Sequence, residues 1–189
     1  MKTINFKTII LFIFIINTLS CQAQLPLMTA LSNIPQNAYV KDTNNILSPY
    51  AGIYKANYQG NEITLFIDKE ENKFMDYGNR RFYRDVLNVK YIVKNASGTV
   101  LQDIKNNINT KIEIFSTIPR STDNSIIFTY SGTNCGVGWG KIILKKINNT
   151  QISWEYLPND IILDDSRCPP GTDITIYLPE TKDLIFTKQ

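Results

Sequence analysis

From Ile46 to the C-terminus, apolar residues recur at every second position, and turn residues break the pattern about every ten residues. Leu87, Val89, Tyr91 and Val93 point one way, with Asn88, Lys90 and Lys94 the other. Ile63, Leu65 and Ile67 oppose Thr64 and Asp68, and Ile152, Trp154 and Tyr156 oppose Ser153 and Glu155. A period of two places each set on its own face of a strand, so these segments predict an antiparallel sheet with one dry side. Between them lie Gln59-Gly60-Asn61, Gly78-Asn79, Asn95-Ala96-Ser97-Gly98, Thr122-Asp123-Asn124 and Asn148-Asn149. These are turn sequences, and the segments they bound are rich in Ile, Val, Tyr, Phe and Thr. The clearest hairpin is Lys141–Ile147 with Thr150–Leu157, whose two asparagines are expected to take the positive φ of a tight turn. About ten short strands in a meander curl into a closed barrel, which removes the exposed edges; a β-sandwich is the alternative.

The N-terminus follows another rule. Lys2 and Lys7 precede an unbroken apolar run, Ile9–Ile16, which gives way to Asn17-Thr18-Leu19-Ser20-Cys21. A charged start, a short apolar run and a small-residue exit make a secretory signal peptide. The run is too short for a span, which needs about 20 apolar residues. Cys21 stands where a lipoprotein peptidase would cut and acylate, although Thr18 occupies the place of the usual branched aliphatic residue. The alternative is a cut after Ala23, releasing a soluble secreted chain. The expected organisation is a signal peptide over 1–21 ending at a lipidated Cys21, a tether over 22–45, and a β-barrel domain over 46–189. The tether reading rests on Pro26, Pro35 and the polar group Asn37, Asp42, Asn44 and Asn45. Leu25-Pro26-Leu27-Met28 is the part of it able to pack back onto the domain.

Charge and composition then remove whole classes of function. The formal charge of +3 includes Lys2 and Lys7, so the processed chain carries only +1. That is no footprint for nucleic acid. The chain has no histidine, which excludes His-based triads, His-ligated zinc and His general bases. With Cys21 acylated, Cys135 and Cys168 are the remaining cysteines, and an oxidising envelope pairs them as a disulfide. No cofactor and no metal site is expected.

Leu47-Ser48-Pro49-Tyr50-Ala51-Gly52-Ile53-Tyr54-Lys55 resembles the opening of lipocalin-like domains, whose first strand carries a Gly-x-aromatic element. Here that element is Gly52-Ile53-Tyr54, with Tyr in place of the usual Trp. The resemblance implies a lipocalin-like barrel. Over its whole length the chain also resembles a family of small Bacteroidota lipoproteins with a signal ending near Cys-x-Ala-Gln, here Cys21-Gln22-Ala23-Gln24. Their domain opens Pro-x-x-Gly-x-Tyr/Trp, here Pro49 to Tyr54. That resemblance brings no activity and no catalytic residues. Some lipoproteins of that phylum carry an acidic tag after the cysteine; here the first acid is Asp42, so the expected orientation is toward the periplasm.

Several clusters are candidate sites. The loop Ser131–Gly140 is dense in glycine, but phosphate loops lead from a strand into a helix and this one leads into a strand. Its glycines are expected to relieve strain around Cys135 and Trp139. Asp160, Asp164 and Asp165 lack the calcium-loop spacing. Asp68, Glu113 and Glu155 are the acids from which a glycosidase-like pair could be drawn. Arg80, Arg81 and Arg84 form a small basic group. Should the barrel hold a small apolar ligand, Tyr54, Phe66, Tyr91, Phe128, Trp139, Trp154 and Tyr156 are the residues expected to line the cavity. The expectation is a non-catalytic envelope lipoprotein of that kind. The alternative is an interaction module, a complex subunit or inhibitor, acting on another envelope protein through the loops near Cys135 and Cys168. A packed interior and exposed apolar loops would favour the alternative.

Overall fold

The computed structural model describes residues 24–107, 110–166 and 168–189. Eleven strands form a single sheet: β1 Gln24–Pro26, β2 Tyr39–Lys41, β3 Gly52–Tyr58, β4 Asn61–Asp76, β5 Arg81–Lys94, β6 Val100–Asp103, β7 Ile114–Arg120, β8 Ser125–Tyr130, β9 Gly140–Lys146, β10 Gln151–Pro158 and β11 Leu184–Lys188. Eight of them run β5-β4-β3-β11-β10-β9-β8-β7, each antiparallel to its neighbour. The row closes where Asn88 of β5 meets Phe115 of β7. The fold is therefore a closed antiparallel β-barrel, consistent with a lipocalin-like one.

The alternation seen in the sequence sets which side chains face inward. Register aligns Tyr54, Leu65 and Tyr91 across β3, β4 and β5, and Phe128, Ile142 and Tyr156 across β8, β9 and β10. All six are buried. Trp154 is 1 % exposed, and its indole N–H donates to the Pro179 carbonyl at 2.9 Å. Burying a side chain of this kind contributes about 1.5–3 kcal/mol, so the inward rows supply most of the driving force. Gly52-Ile53-Tyr54 opens the first barrel strand, and Tyr54 enters the interior.

The segment expected to be a tether is instead docked. β1 pairs with β2, and β2 with the first residues of β5, both in parallel. Leu27, Ile34, Ala38 and Val40 join the core cluster. Asp42, one of the polar residues that suggested a linker, helps to hold this strap. The Asp42 carboxylate accepts the N–H groups of Ile46 at 2.7 Å and Leu47 at 3.0 Å, and Lys69 lies 3.2 Å from it. Asp85, 1 % exposed, accepts Tyr39 Oη–H at 2.5 Å, the Asn72 N–H at 3.1 Å and the Asp42 N–H at 2.9 Å.

The β9–β10 hairpin is where the alternation placed it, with a different turn. It spans 147–150, and neither Asn148 nor Asn149 has positive φ. Asn148 acts through its side chain, which accepts the Thr150 N–H at 2.8 Å.

Candidate functional site

One end of the barrel is built by two connections of unequal length. Between β8 and β9 runs the glycine-rich loop; between β10 and β11 the chain runs from 159 to 183, with no strand or helix among the described residues. Connections beyond about 12–15 residues without regular structure are uncommon and usually functional. Cys135 and Cys168 join the two as a disulfide with Cα atoms 5.4 Å apart. The loops also meet through the Asn134 side chain, which donates to the Asp173 carbonyl at 2.7 Å, and through Trp139, whose indole N–H donates to the Asp160 carbonyl at 3.2 Å. The Asn159 N–H returns to the Trp139 carbonyl at 2.7 Å.

The glycines are needed for this close approach. A Cβ on Gly132, where φ is +90°, would stand 2.5 Å from the backbone of Gly136. One on Gly138 would meet Ile176 and the Tyr156 hydroxyl at 2.7 Å. Cys135 itself takes φ 61°, a left-handed conformation uncommon outside glycine, inside the short helical turn Asn134–Gly136. The loop is a wide, tightly folded connection, as expected, and no helix follows it to form a phosphate cradle.

Beneath the loops lies a layer of buried hydroxyls. Tyr91 Oη–H donates to Gln102 Oε1 at 2.6 Å and stands 3.4 Å from Tyr130 Oη. Gln102 in turn donates to Thr133 Oγ1 at 2.9 Å, and Tyr156 Oη–H donates to the Gly138 carbonyl. Burial pushes the hydroxyls of Tyr91, Tyr130 and Tyr156 well above the ordinary tyrosine range. Each remains a neutral donor at any ordinary pH. Nothing in the local sequence around Gln102 marked it as a member of this layer, because its partners, Tyr91 and Thr133, come from two other segments.

The seven aromatics expected to line a cavity divide. Tyr54, Tyr91, Phe128, Trp154 and Tyr156 are buried in the packed core. Phe66 stands on the outer face of β4 with Lys105 Nζ 5.2 Å from its ring centre, and Trp139 lies on the surface, 46 % exposed. The structure does not bring these two together with the other five. Four clefts among the described residues, of about 300 to 570 Å³, are each open to solvent.

The two loops joined by the disulfide expose Trp139, Ile161, Ile162 and Ile174, Ile162 by 89 %, and Leu157 is exposed on β10. Gly136 lies beneath Ile161, where a Cβ would be 3.6 Å from its Cδ1. Asp160, Asp165, Asp173 and Glu180 of the long connection are exposed as well. The Thr175 side chain and N–H, with the Tyr177 hydroxyl, hold the Asp173 carboxyl below its usual range.

The other clusters separate. Asp68 lies on β4, Glu155 on β10 beside Lys182 at 3.4 Å, and Glu113 precedes β7. Asp164 accepts the Ser166 N–H at 2.9 Å, and among the described residues no three His, Cys, Asp or Glu side chains converge on a metal position. The three arginines have three fates: Arg80 donates to the Leu31 carbonyl, Arg81 pairs with Asp76 at 3.0 Å, and Arg84 is buried with Nη2 2.6 Å from the Leu27 carbonyl. Desolvation lowers the Arg84 pKa from its usual value. Cys21 and Ala23, the candidate processing positions, lie outside the described residues. Among the described residues no helix is long and apolar enough to cross a membrane.

A model of a family of unknown function (DUF6705) matches residues 1–189. No curated protein and no solved structure matches the chain significantly.

Proposed function

The chain belongs to DUF6705, and from that premise we propose that it is an exported, lipid-anchored and non-catalytic envelope protein. In this reading the barrel is a rigid stand, and the disulfide-tied loops dock another envelope protein. One observation carries the interaction part: a long irregular connection, pinned to the glycine-rich loop by Cys135–Cys168, presents Ile161, Ile162 and Ile174 to solvent, with that loop's exposed Trp139 bonded to it at Asp160. Contiguous exposed apolar surface with a polar rim marks interaction sites. The exposed acids of the connection suit a partner that brings basic residues along with its apolar ones. The buried aromatics weigh against an internal ligand, because the space such a ligand needs is taken by Tyr54, Tyr91, Phe128, Trp154 and Tyr156. The N-terminal signal and Cys21 support export and anchoring.

The test is a photo-crosslinking residue placed at Ile162 in cells, with Ile185 on the outer face of β11 as control. The reading expects one discrete protein adduct at Ile162 that Trp139→Ala weakens. Equal adduct patterns at the two positions would refute the docking surface. Native mass spectrometry of the purified chain gives the complementary result: a mass lost on denaturation would restore the internal ligand.

A further inference from the structure

We propose that the tip of the β4–β5 hairpin is the membrane-contacting face of this protein, seated on anionic phospholipid headgroups beside the N-terminal anchor. The inference rests on the anchored reading above, and it concerns where the domain touches the bilayer.

The N-terminal strand starts close to the hairpin tip. Gln24 of β1 shares one row of the sheet with Tyr39, Tyr83 and Phe74. The last pair of the hairpin, Asp76 with Arg81, lies two residues beyond that row. With strands about 4.8 Å apart and about 3.4 Å per residue, Gln24 stands roughly 12 Å from Arg81. Cys21 precedes Gln24 by three residues, a reach of at most about 11 Å. Had 22–45 been a free tether, the domain could take any orientation. With residues 24–41 docked, an anchor at Cys21 holds this side of the molecule against the lipid.

The side chains at the tip suit a headgroup layer. Phe74 is 52 % exposed and Tyr77 45 %, although both are large aromatics. Phe74 packs on Tyr83 with ring centres 5.6 Å apart, and Tyr77 stacks on Phe82 at 5.8 Å. Residues 82 and 83 are consecutive in a strand and face opposite ways, so the ribbon carries an exposed aromatic on each face near its end. Such rings favour the headgroup level of a bilayer. Arg80 and Arg81 stand beside them. Arg80 gives one donor to the Leu31 carbonyl and Arg81 gives its Nε to Asp76. A guanidinium has five N–H donors, so each keeps others for phosphate. Leu31, exposed and touching Arg80, extends the apolar part.

The experiment uses the full acylated chain in vesicles of phosphatidylethanolamine and phosphatidylglycerol. An environment-sensitive fluorophore is attached to Tyr77→Cys or, as a second position, Asn79→Cys, with Ile162→Cys as the distant control. With Cys21 acylated and Cys135–Cys168 paired, the introduced thiol is the sole free one. The proposal expects blue-shifted emission and quenching by lipid-borne quenchers at Tyr77→Cys and Asn79→Cys, and water-like emission at Ile162→Cys. Adding Arg80→Gln or Arg81→Gln should shift the lipid-to-water equilibrium of the label about fivefold each, the equivalent of about 1 kcal/mol per basic residue at an anionic surface. Vesicle-bound protein whose tip labels stay in water overturns the inference and leaves the anchor standing. Equal quenching at the tip and at Ile162→Cys also overturns it. Protein that carries no acyl chain and does not float with vesicles refutes the anchored reading, and the inference falls with it.

Discussion

Removing the disulfide tests how the long loop is held. The bond closes a loop of about 34 residues, the separation being 33. The chain-entropy relation gives about 3.8 kcal/mol for that length at 25 °C. The flanking strands belong to the barrel: β8 and β9 bracket Cys135, and β10 and β11 bracket Cys168. The crosslink therefore constrains the unfolded form of the whole domain, and its loss acts on global unfolding. One feature brings the measured value below that ceiling. Cys135 sits at φ 61°, a conformation costing a non-glycine residue about 1–2 kcal/mol, and that strain can relax once the bond is gone. The Cys135→Ser, Cys168→Ser variant should thus lose about 2–4 kcal/mol in urea unfolding, with a larger m-value from the more expanded unfolded chain. For a domain of this size the melting temperature should fall by about 5–15 °C. Cys135→Gly with Cys168→Ser should recover about 1 kcal/mol of the loss, because glycine takes positive φ freely. A double serine variant that unfolds at the parent's urea midpoint would refute the entropic reasoning. No recovery from Cys135→Gly relative to Cys135→Ser would refute the conformational part alone.

Two further substitutions and one titration follow from the same geometry. Gly132→Ala should cost about 3 kcal/mol or more, since its Cβ would meet Gly136 backbone at 2.5 Å; Gly98→Ala, at φ +82° in open space, should cost only about 1 kcal/mol, and equal costs in urea melts would sink the steric argument. Stability should be flat from neutral pH to about 10 and fall above it, because burial raises the folded pKa values of Tyr91, Tyr130 and Tyr156 above the ordinary 10.0. Above that pH the unfolded chain releases protons that the folded chain keeps, at about 1.4 kcal/mol per pH unit for each tyrosine. Urea midpoints that stay constant from about pH 9 to about pH 11.5 would contradict this linkage.

The barrel was legible because its signal is local. Each inward row is a run of alternating residues within one strand, and Leu87 to Val93 or Ile152 to Tyr156 can be read without knowing the partner strands. The pairing of Cys135 with Cys168 was legible by elimination. The strap was not, because β1 and β2 have three residues each and three residues carry no period. What holds them is long-range: Asp85 binds Tyr39 and Asp42 across more than forty residues. Asp42, which reads as tether in the sequence, gives its backbone N–H to the buried Asp85 carboxylate. Phe66 and Trp139 were misplaced for a related reason. Phe66 follows an inward Leu65 and must face outward, so the alternation already contained that answer; Trp139 stands in a loop, where no period applies.

A filled barrel and an exposed loop belong to one design, because the core fixes the loop. Trp154 and Tyr156, inward residues of β10, each send a donor out of the barrel, to the Pro179 and Gly138 carbonyls respectively. Gly140 brings β9 so close to β10 that a Cβ would stand 2.3 Å from the Leu157 carbonyl oxygen. Add the disulfide, and the apolar residues at 139, 161 and 162 are carried on a frame with several independent fixings. A loop ordered in advance loses less conformational entropy on binding than one that must fold onto its partner. Loosening the frame without touching the surface should therefore weaken docking: Tyr156→Phe removes the Gly138 bond, leaves Trp139 and Ile162 in place, and should reduce the Ile162 crosslink. A crosslink unchanged by Tyr156→Phe, in a variant that still folds, would mean that the exposed side chains act without the frame.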